Sequence, residues 1–358
     1  MLRDKIGKPW LIYGSYGFTG RLIAKVAADR GHAPILAGRD RHRLWEQAKS
    51  LGLEIRAFPL DDRDLLAEGL DGVEAVVHAA GPFSRTSRPM VDACLAAGVH
   101  YLDITGEIPV FEALFALDDA AKRAGIAIVP GVGFDVVPTD CAAARAAGRI
   151  EKPSSLTIAF SASGSPSRGT TRTVVEGLGG TSAERVDGKL VAAPTASHTR
   201  QIPFSDRPRF AVGIPWGDVS TAWHSTGVPN IRVYMAMPEK QVARMRLLAR
   251  ARPILALSPV QSLLKWAAGR AVSGPGAKEL EQGGARVWCQ ATNQRGAEAT
   301  VELTTPNGYW FTALAAVAAV EELLSDEGDS RPTGAMTPSR AFGADFVDRI
   351  EGVHWTMP

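Results

Sequence analysis

Three glycines, Gly14, Gly17 and Gly20, fall within seven residues of the stretch WLIYGSYGFTGRLIAKVAADRG. An apolar run ending at Tyr13 precedes them. A helical pattern follows, with Leu22, Ile23, Val26 and Ala27 on one face. Side chains are therefore given up where a strand turns into a helix. In a dinucleotide-binding fold the first glycine permits the tight turn, the second lets backbone approach a diphosphate, and the third lets helix and strand pack closely. Main-chain amides beside Tyr16 and Phe18 and the positive end of the helix then hold the phosphates. The spacing is G-x-x-G-x-x-G, a variant of G-x-G-x-x-G, and alone it is a weak signal, the alternative being a glycine-rich turn with no ligand.

The following residues carry more weight. HAPILAGRD (32–40) predicts a second strand. Where an NAD site carries a carboxylate for the ribose hydroxyls, this strand ends on Gly38 and Arg39. A guanidinium there suits a 2′-phosphate, so NADP is expected over NAD, the alternative being a solvated surface arginine. LEIRAFPLDD predicts a third strand leading into Asp61 and Asp62. One carboxylate of that pair faces an adenine amino group, or caps the helix expected over 63–70. VEAVVHAAGPF (73–83) is nearly continuous in apolar residues and fits a central parallel strand ending at the ligand crevice. A helix over 90–97, a strand in GVHYLDITGE, a helix over 110–124 and a strand in IAIVPGVGF complete the series. Strand and helix alternate as in a Rossmann-like, doubly wound parallel sheet.

A length of 358 residues suits two domains. We place the dinucleotide-binding domain at 1–142, completed by C-terminal helices within 308–358, and a second domain at 143–307. A net charge of +2 gives no argument for nucleic acid as a partner. The three cysteines show neither metal-ligand spacing nor a disulfide framework, as expected of reduced thiols in a cytoplasmic protein without a metal. Residues 1–9 lack a signal-peptide core, and the longest apolar run, 311–320, is too short to span a bilayer.

From Ser155 the texture changes to short strands with polar breaks: SLTIAFSAS, GKLVAA, RQIPF, NIRVYMAMP, VWCQATNQ and AEATVELTTP. They predict an α+β domain with a mostly antiparallel sheet. Two stretches keep two readings each. Residues 161–173, with Arg168 and Arg172, either bind a substrate anion or form a linker. Residues 243–271 form either two ordinary helices broken at Pro253 and Pro259, or a greasy lid that takes a long-chain substrate or a lipid surface.

Hydride transfer asks the protein for orientation, a dry site and a proton donor. Tyr101, Asp103 and Glu107, at the end of the fifth strand, have the right placement; Phe134 and Asp135 are assigned to the substrate, Asp135 with the same ambiguity as Asp103. The alternative for Asp103 is a side-chain bond to the following turn. No Tyr-x-x-x-Lys pair follows the fourth strand, and no nucleophile elbow, HExxH or CxxC motif is present.

The phrases GSYGFTGRL, AGRD, AAGPF, CLAAGVHYLDITGE, PGVGFDVVPTD and NGYWFTALAAVAAVEELL together resemble the saccharopine dehydrogenase-like oxidoreductases, in the branch that includes trans-acting enoyl reductases. The resemblance is strong over 10–141, thin over 150–307 and weak thereafter. It implies an NADP-dependent enzyme in which Gly14, Tyr16, Gly17, Phe18, Thr19 and Gly20 line the diphosphate and Arg39 reads the 2′-phosphate. Asp61 stands near the adenine, and Ala80, Gly81, Pro82 and Phe83 approach the nicotinamide. Tyr101, Asp103, Gly106 and Glu107 border the crevice, with Gly133, Phe134, Asp135 and Pro138. It further implies a small-molecule substrate, hydrophobic or acyl, and a homodimer. Three functions follow: reduction of a conjugated C=C bond, reduction of an amino-acid imine, or a cofactor-bound or lipid-associated scaffold without turnover.

Overall fold

Strands and helices alternate through the first 147 residues because short apolar runs and amphipathic runs alternate there. β1 (Trp10–Tyr13), β2 (Ile35–Gly38) and β4 (Ala75–His78) are buried at every position, as parallel strands covered on both faces must be. With β3 (Ile55–Ala57), β5 (His100–Asp103) and β6 (Ala127–Val129) they form a sheet of order β6-β5-β4-β1-β2-β3. All its pairs are parallel. The order reverses between β1 and β4, and in open α/β sheets ligands bind outside the carboxyl ends of strands at such a point. A seventh strand, β15 (Gly334–Ala335), joins β6 from the far end of the chain.

This is a computed structural model, and it describes residues 7–163, 182–250, 260, 276–325 and 331–357. The chain divides into two compact units, Met1–Val137 with Tyr309–Glu351, and Pro138–Gly308 with Gly352–Pro358.

In the first unit the connecting helices are α1 (Phe18–Asp29), α2 (Arg41–Leu51), α3 (Arg63–Gly69), α4 (Phe83–Ala97), α5 (Ile108–Phe115) and α6 (Asp118–Ala124). Two helices differ from expectation. α4 begins at Phe83, not Met90. The helix expected over 110–124 is two helices: α5 ends on buried Leu114 and Phe115, and α6 restarts with Asp118 and Asp119 in its first turn, where carboxylates favour a helix start.

α7 (Val137–Ala147) leads into the second unit. There β7 (Ser155–Ala162), β8 (Ser182–Val186), β9 (Lys189–Ala193), β10 (Thr199–Pro203) and β11 (Pro208–Gly213) precede α8 (Asp218–Thr226). β12 (Asn230–Ala236), α9 (Glu239–Arg250), α10 (Ala277–Gln282), β13 (Gly284–Thr292) and β14 (Glu298–Pro306) follow. The sheet runs β10-β11-β12-β7-β13-β14-β16, with the β8–β9 hairpin attached to β12. Among the described residues only β12 and β7 pair in parallel there; the other pairs are antiparallel. Its last strand, β16 (His354–Met357), pairs with β14, so the final residues of the stretch 308–358, expected as helices, form a strand. β8, β11 and α8 were not expected.

α11 (Gly308–Leu324) supplies the first unit with a helix in which Phe311 to Val320 are all buried. α12 (Pro338–Phe342) and a short 3-10 turn (Phe346–Arg349) follow. Among the described residues no helix is long and apolar enough to cross a membrane, and no group of His, Cys, Asp and Glu could hold a metal ion.

Candidate functional site at the carboxyl edge of the parallel sheet

Gly14 follows β1 with φ +82°, a left-handed conformation that favours glycine. A Cβ on it would stand 2.8 Å from the Ala80 Cβ, so the turn also needs an empty position there. Gly14 N and Ser15 N both donate to Ala37 O at the end of β2, at 2.8 and 3.2 Å, drawing the loop across the strand ends. Gly20 sits in the first turn of α1. Its Cβ would lie 2.3 Å from Gly14 O, so helix and loop touch backbone to backbone.

The amino end of α1 has neither a side-chain cap nor an acidic residue in its first turn. Its neighbours differ. Asp40 caps α2 by accepting from Arg43 N at 3.1 Å. Asp62 caps α3 by accepting from Asp64 N and Leu65 N. Glu107 accepts from Phe83 N at 2.8 Å and Ser84 N at 3.0 Å, closing the amino end of α4. The open donors of α1, behind a loop that accepts no Cβ at Gly14 or Gly20, fit a diphosphate. Phe18 and Thr19 begin that turn, and the Phe18 ring meets Tyr309 edge-on at 5.2 Å.

Around the adenosine end, the Asp61/Asp62 alternative divides: Asp62 is the cap and Asp61 is left exposed. Arg39 is exposed at the end of β2, while the adjacent carboxylate, Asp40, is turned into its cap. Ala79 N donates to Tyr13 O at 2.8 Å, bringing the end of β4 beside the glycine loop. Ala80 is held by Thr86 Oγ1, which donates to its carbonyl at 2.6 Å. Gly81 and Pro82 are exposed; the Phe83 ring is buried against His78 at 5.5 Å.

The three acid–base candidates and Asp135, expected at the substrate, separate sharply. Tyr101 is fully buried, and its hydroxyl, pushed well above the ordinary range by burial, donates to Asp103 Oδ2 at 2.8 Å. Asp103 is also 0% exposed; its Oδ1 accepts from Thr105 N and Gly131 N, both at 2.9 Å. Burial raises Asp103 to about 6 against the pull of those bonds. This pair ties the end of β5 to the loop after β6 and is sealed from solvent. Glu107 is occupied at α4. Asp135 alone keeps its carboxyl uncommitted: among the described residues it makes no hydrogen bond or ion pair. It is partly exposed, beside Gly106, whose Cβ would stand 2.7 Å from Asp135 Oδ2. Burial raises it from 3.8 to about 6. Phe134, its neighbour, donates its N–H to Thr312 Oγ1 at 3.0 Å and meets Phe311 edge-on.

Arg168 and Arg172 lie outside the described residues, as does most of 243–271. Sequence reasoning missed Arg43 and Gln47 of α2, which grip the glycine loop. Their four-residue spacing after Arg39 was the available signal.

With this geometry in view, the comparisons with known proteins bear directly on the crevice. Residues 10–129 match the family model of the saccharopine dehydrogenase NADP binding domain. Over these residues, about a third of its length, the chain is similar to that domain family. Among curated proteins, one from Mycobacterium tuberculosis, provisionally named a trans-acting enoyl reductase, is 35% identical over 183 residues, 47% of this chain and 43% of that protein. The trans-acting enoyl reductase of Mycobacterium leprae is 34% identical over 148 residues, 39% of this chain and 35% of that protein. The chain thus matches less than half the length of these relatives. Among solved structures, apo saccharopine dehydrogenase (L-Glu forming) from Saccharomyces cerevisiae superposes with a TM-score of 0.60 at 13% identity, over 96% of both chains. That likeness is one of fold.

Proposed function

We propose that this chain is an NADPH-dependent reductase of conjugated C=C bonds in acyl-type substrates, with Asp135 as its proton donor. The NADP-binding family of the first unit supports the coenzyme, and the names of the mycobacterial relatives support the bond reduced. The observation that carries the reading is Asp135: a partly buried, uncommitted carboxyl at the same sheet edge as the open amino end of α1.

The coenzyme, when bound, supplies the hydride. The chain's own residues do the rest. The first-turn amides of α1 and the loop from Gly14 to Gly17 hold the diphosphate, and Arg39 takes the 2′-phosphate. Asp135 holds a proton and delivers it to the substrate carbon adjacent to the carbonyl, so that one hydride and one proton saturate the double bond. A carboxyl with a pKa near 6 is protonated often enough at neutral pH to donate and to be reloaded by solvent. Asp103 and Tyr101 brace the crevice floor. The three buried, free cysteines suit a reducing, cytoplasmic setting.

The test is NADPH oxidation, followed by absorbance, over a panel of enoyl thioesters and imine-forming pairs of amino acids with keto acids or aldehydes. Turnover with enoyl thioesters is expected. Turnover only with the imine pairs moves the chemistry to C=N, and coenzyme binding without turnover on either panel makes the chain a binding protein.

A further inference from the structure

Between Arg39 and the glycine loop lies a contact set that the coenzyme reading does not use. Ser15 is fully buried, and Gln47 of α2 grips it twice. Ser15 Oγ donates to Gln47 Oε1 at 3.0 Å, and Gln47 Nε2 donates to Ser15 O at 3.1 Å. One turn earlier on α2, the Arg43 guanidinium stacks on the Tyr16 ring, 4.5 Å from its centroid, and its Nη2 approaches Tyr16 O at 3.5 Å. Arg21 Nε donates to the same carbonyl at 3.1 Å. The Tyr16 ring also packs against Gly38, where a Cβ would come within 2.6 Å of ring carbon Cε1. Tyr16 is thus held against the end of β2, with Arg43 over its ring and Arg39 next in sequence to Gly38.

Charge is equally one-sided. Among the described residues neither Arg39 nor Arg43 has an acidic partner, and the one carboxylate between them, Asp40, is spent on the Arg43 main-chain amide. Arg39 and Arg43, four residues apart in sequence, are thus two guanidinium groups without a carboxylate partner among the described residues. Arg43 is already ordered by its stack, so it loses less side-chain freedom on meeting an anion than a free surface arginine does.

We propose that α2 is the element that selects the coenzyme: Arg43, aimed by the Tyr16 ring, joins Arg39 in holding the 2′-phosphate, while Gln47 positions the glycine loop for the diphosphate common to both coenzymes. This rests on the NADPH reading above. It assigns the two residues separable effects. Arg43 distinguishes NADP from NAD; Gln47 serves both alike.

Dissociation constants measured by calorimetry for NADP⁺, NAD⁺, 2′,5′-ADP and 5′-AMP separate them without reference to turnover. In Arg43→Met, NADP⁺ and 2′,5′-ADP are expected to weaken at least tenfold while NAD⁺ and 5′-AMP stay within twofold. Arg43→Lys recovers part of the loss, because an ammonium still pairs with phosphate. In Gln47→Leu, NADP⁺ and NAD⁺ weaken by the same factor, so their ratio holds. A thermal melt of each variant checks that it is folded. Wild-type protein that prefers NADP⁺, with Arg43→Met leaving the NADP⁺/NAD⁺ ratio unchanged, overturns this inference alone. Wild-type protein that takes up neither nucleotide overturns both this inference and the coenzyme reading.

Discussion

Asp103 and Asp135 are two carboxyls that burial raises to about 6, yet they do different work. The oxygens of Asp103 accept three hydrogen bonds, and a group so engaged is a brace. Asp135 has no such partners among the described residues. Asp135→Asn is therefore expected to lower kcat by about 10²–10³-fold while leaving the NADP⁺ dissociation constant within twofold. The donor is loaded below about 6, so wild-type kcat falls as pH rises through that value, and the Asn variant loses this limb of the profile. Stability moves the other way. A carboxyl whose folded pKa lies above its ordinary 3.8 stabilises fully below 3.8 and loses that contribution as pH rises through about 6. Asp135→Asn should then raise stability at pH 7.5 by about 2–3 kcal/mol, a gain that shrinks below pH 6, as thermal melts at both pH values will show. Sequence placed both aspartates at strand ends, but it held no information on which one would meet the Gly131 amide, 28 residues away.

Among the elements, α1 and α4 show what local sequence carries and what it does not. The start of α1 is written in adjacent glycines and was legible. Gly20→Ala drives a Cβ into Gly14 O and Ser15, at 2.3 and 2.8 Å. It should cost about 1–3 kcal/mol and weaken NADP⁺ binding at least tenfold, by melt and titration. α4 starts seven residues before the expected Met90, because its cap, Glu107, comes from 24 residues downstream. Ser84 to Pro89 read as a loop until that carboxylate is known to be there. Glu107→Ala leaves the Phe83 and Ser84 amides without an acceptor and should destabilise by about 1–2 kcal/mol in denaturant unfolding. The strands missed in the second unit have a different cause: β8 (SAERV) and β11 (PRFAVG) pair with their sequence neighbours β9 and β10, but charged and proline residues break their apolar pattern.

At the scale of the molecule, the first unit is discontinuous: the chain leaves it at Val137 and returns at Tyr309. The return is structural. β15 completes the parallel sheet, Thr312 holds the Phe134 amide, and Glu321 accepts from Arg30 at 2.8 Å and pairs with His32 at 2.8 Å. Ending the chain at residue 307 strips the edge of β6 and removes a helix with twelve buried residues. Such a chain is expected to lose the cooperative thermal transition of the first unit, seen by circular dichroism as a smaller change in ellipticity on heating. Strand–helix alternation made the doubly wound sheet readable from sequence, and the apolar run 311–320 marked a buried helix. That this helix closes the coenzyme unit rests on packing that no local pattern records. The most direct measurement is calorimetric titration of the purified chain with NADP⁺ and NAD⁺. The account predicts one site per chain with NADP⁺ bound at least tenfold more tightly; no uptake of NADP⁺, or equal affinity for the two, would contradict it.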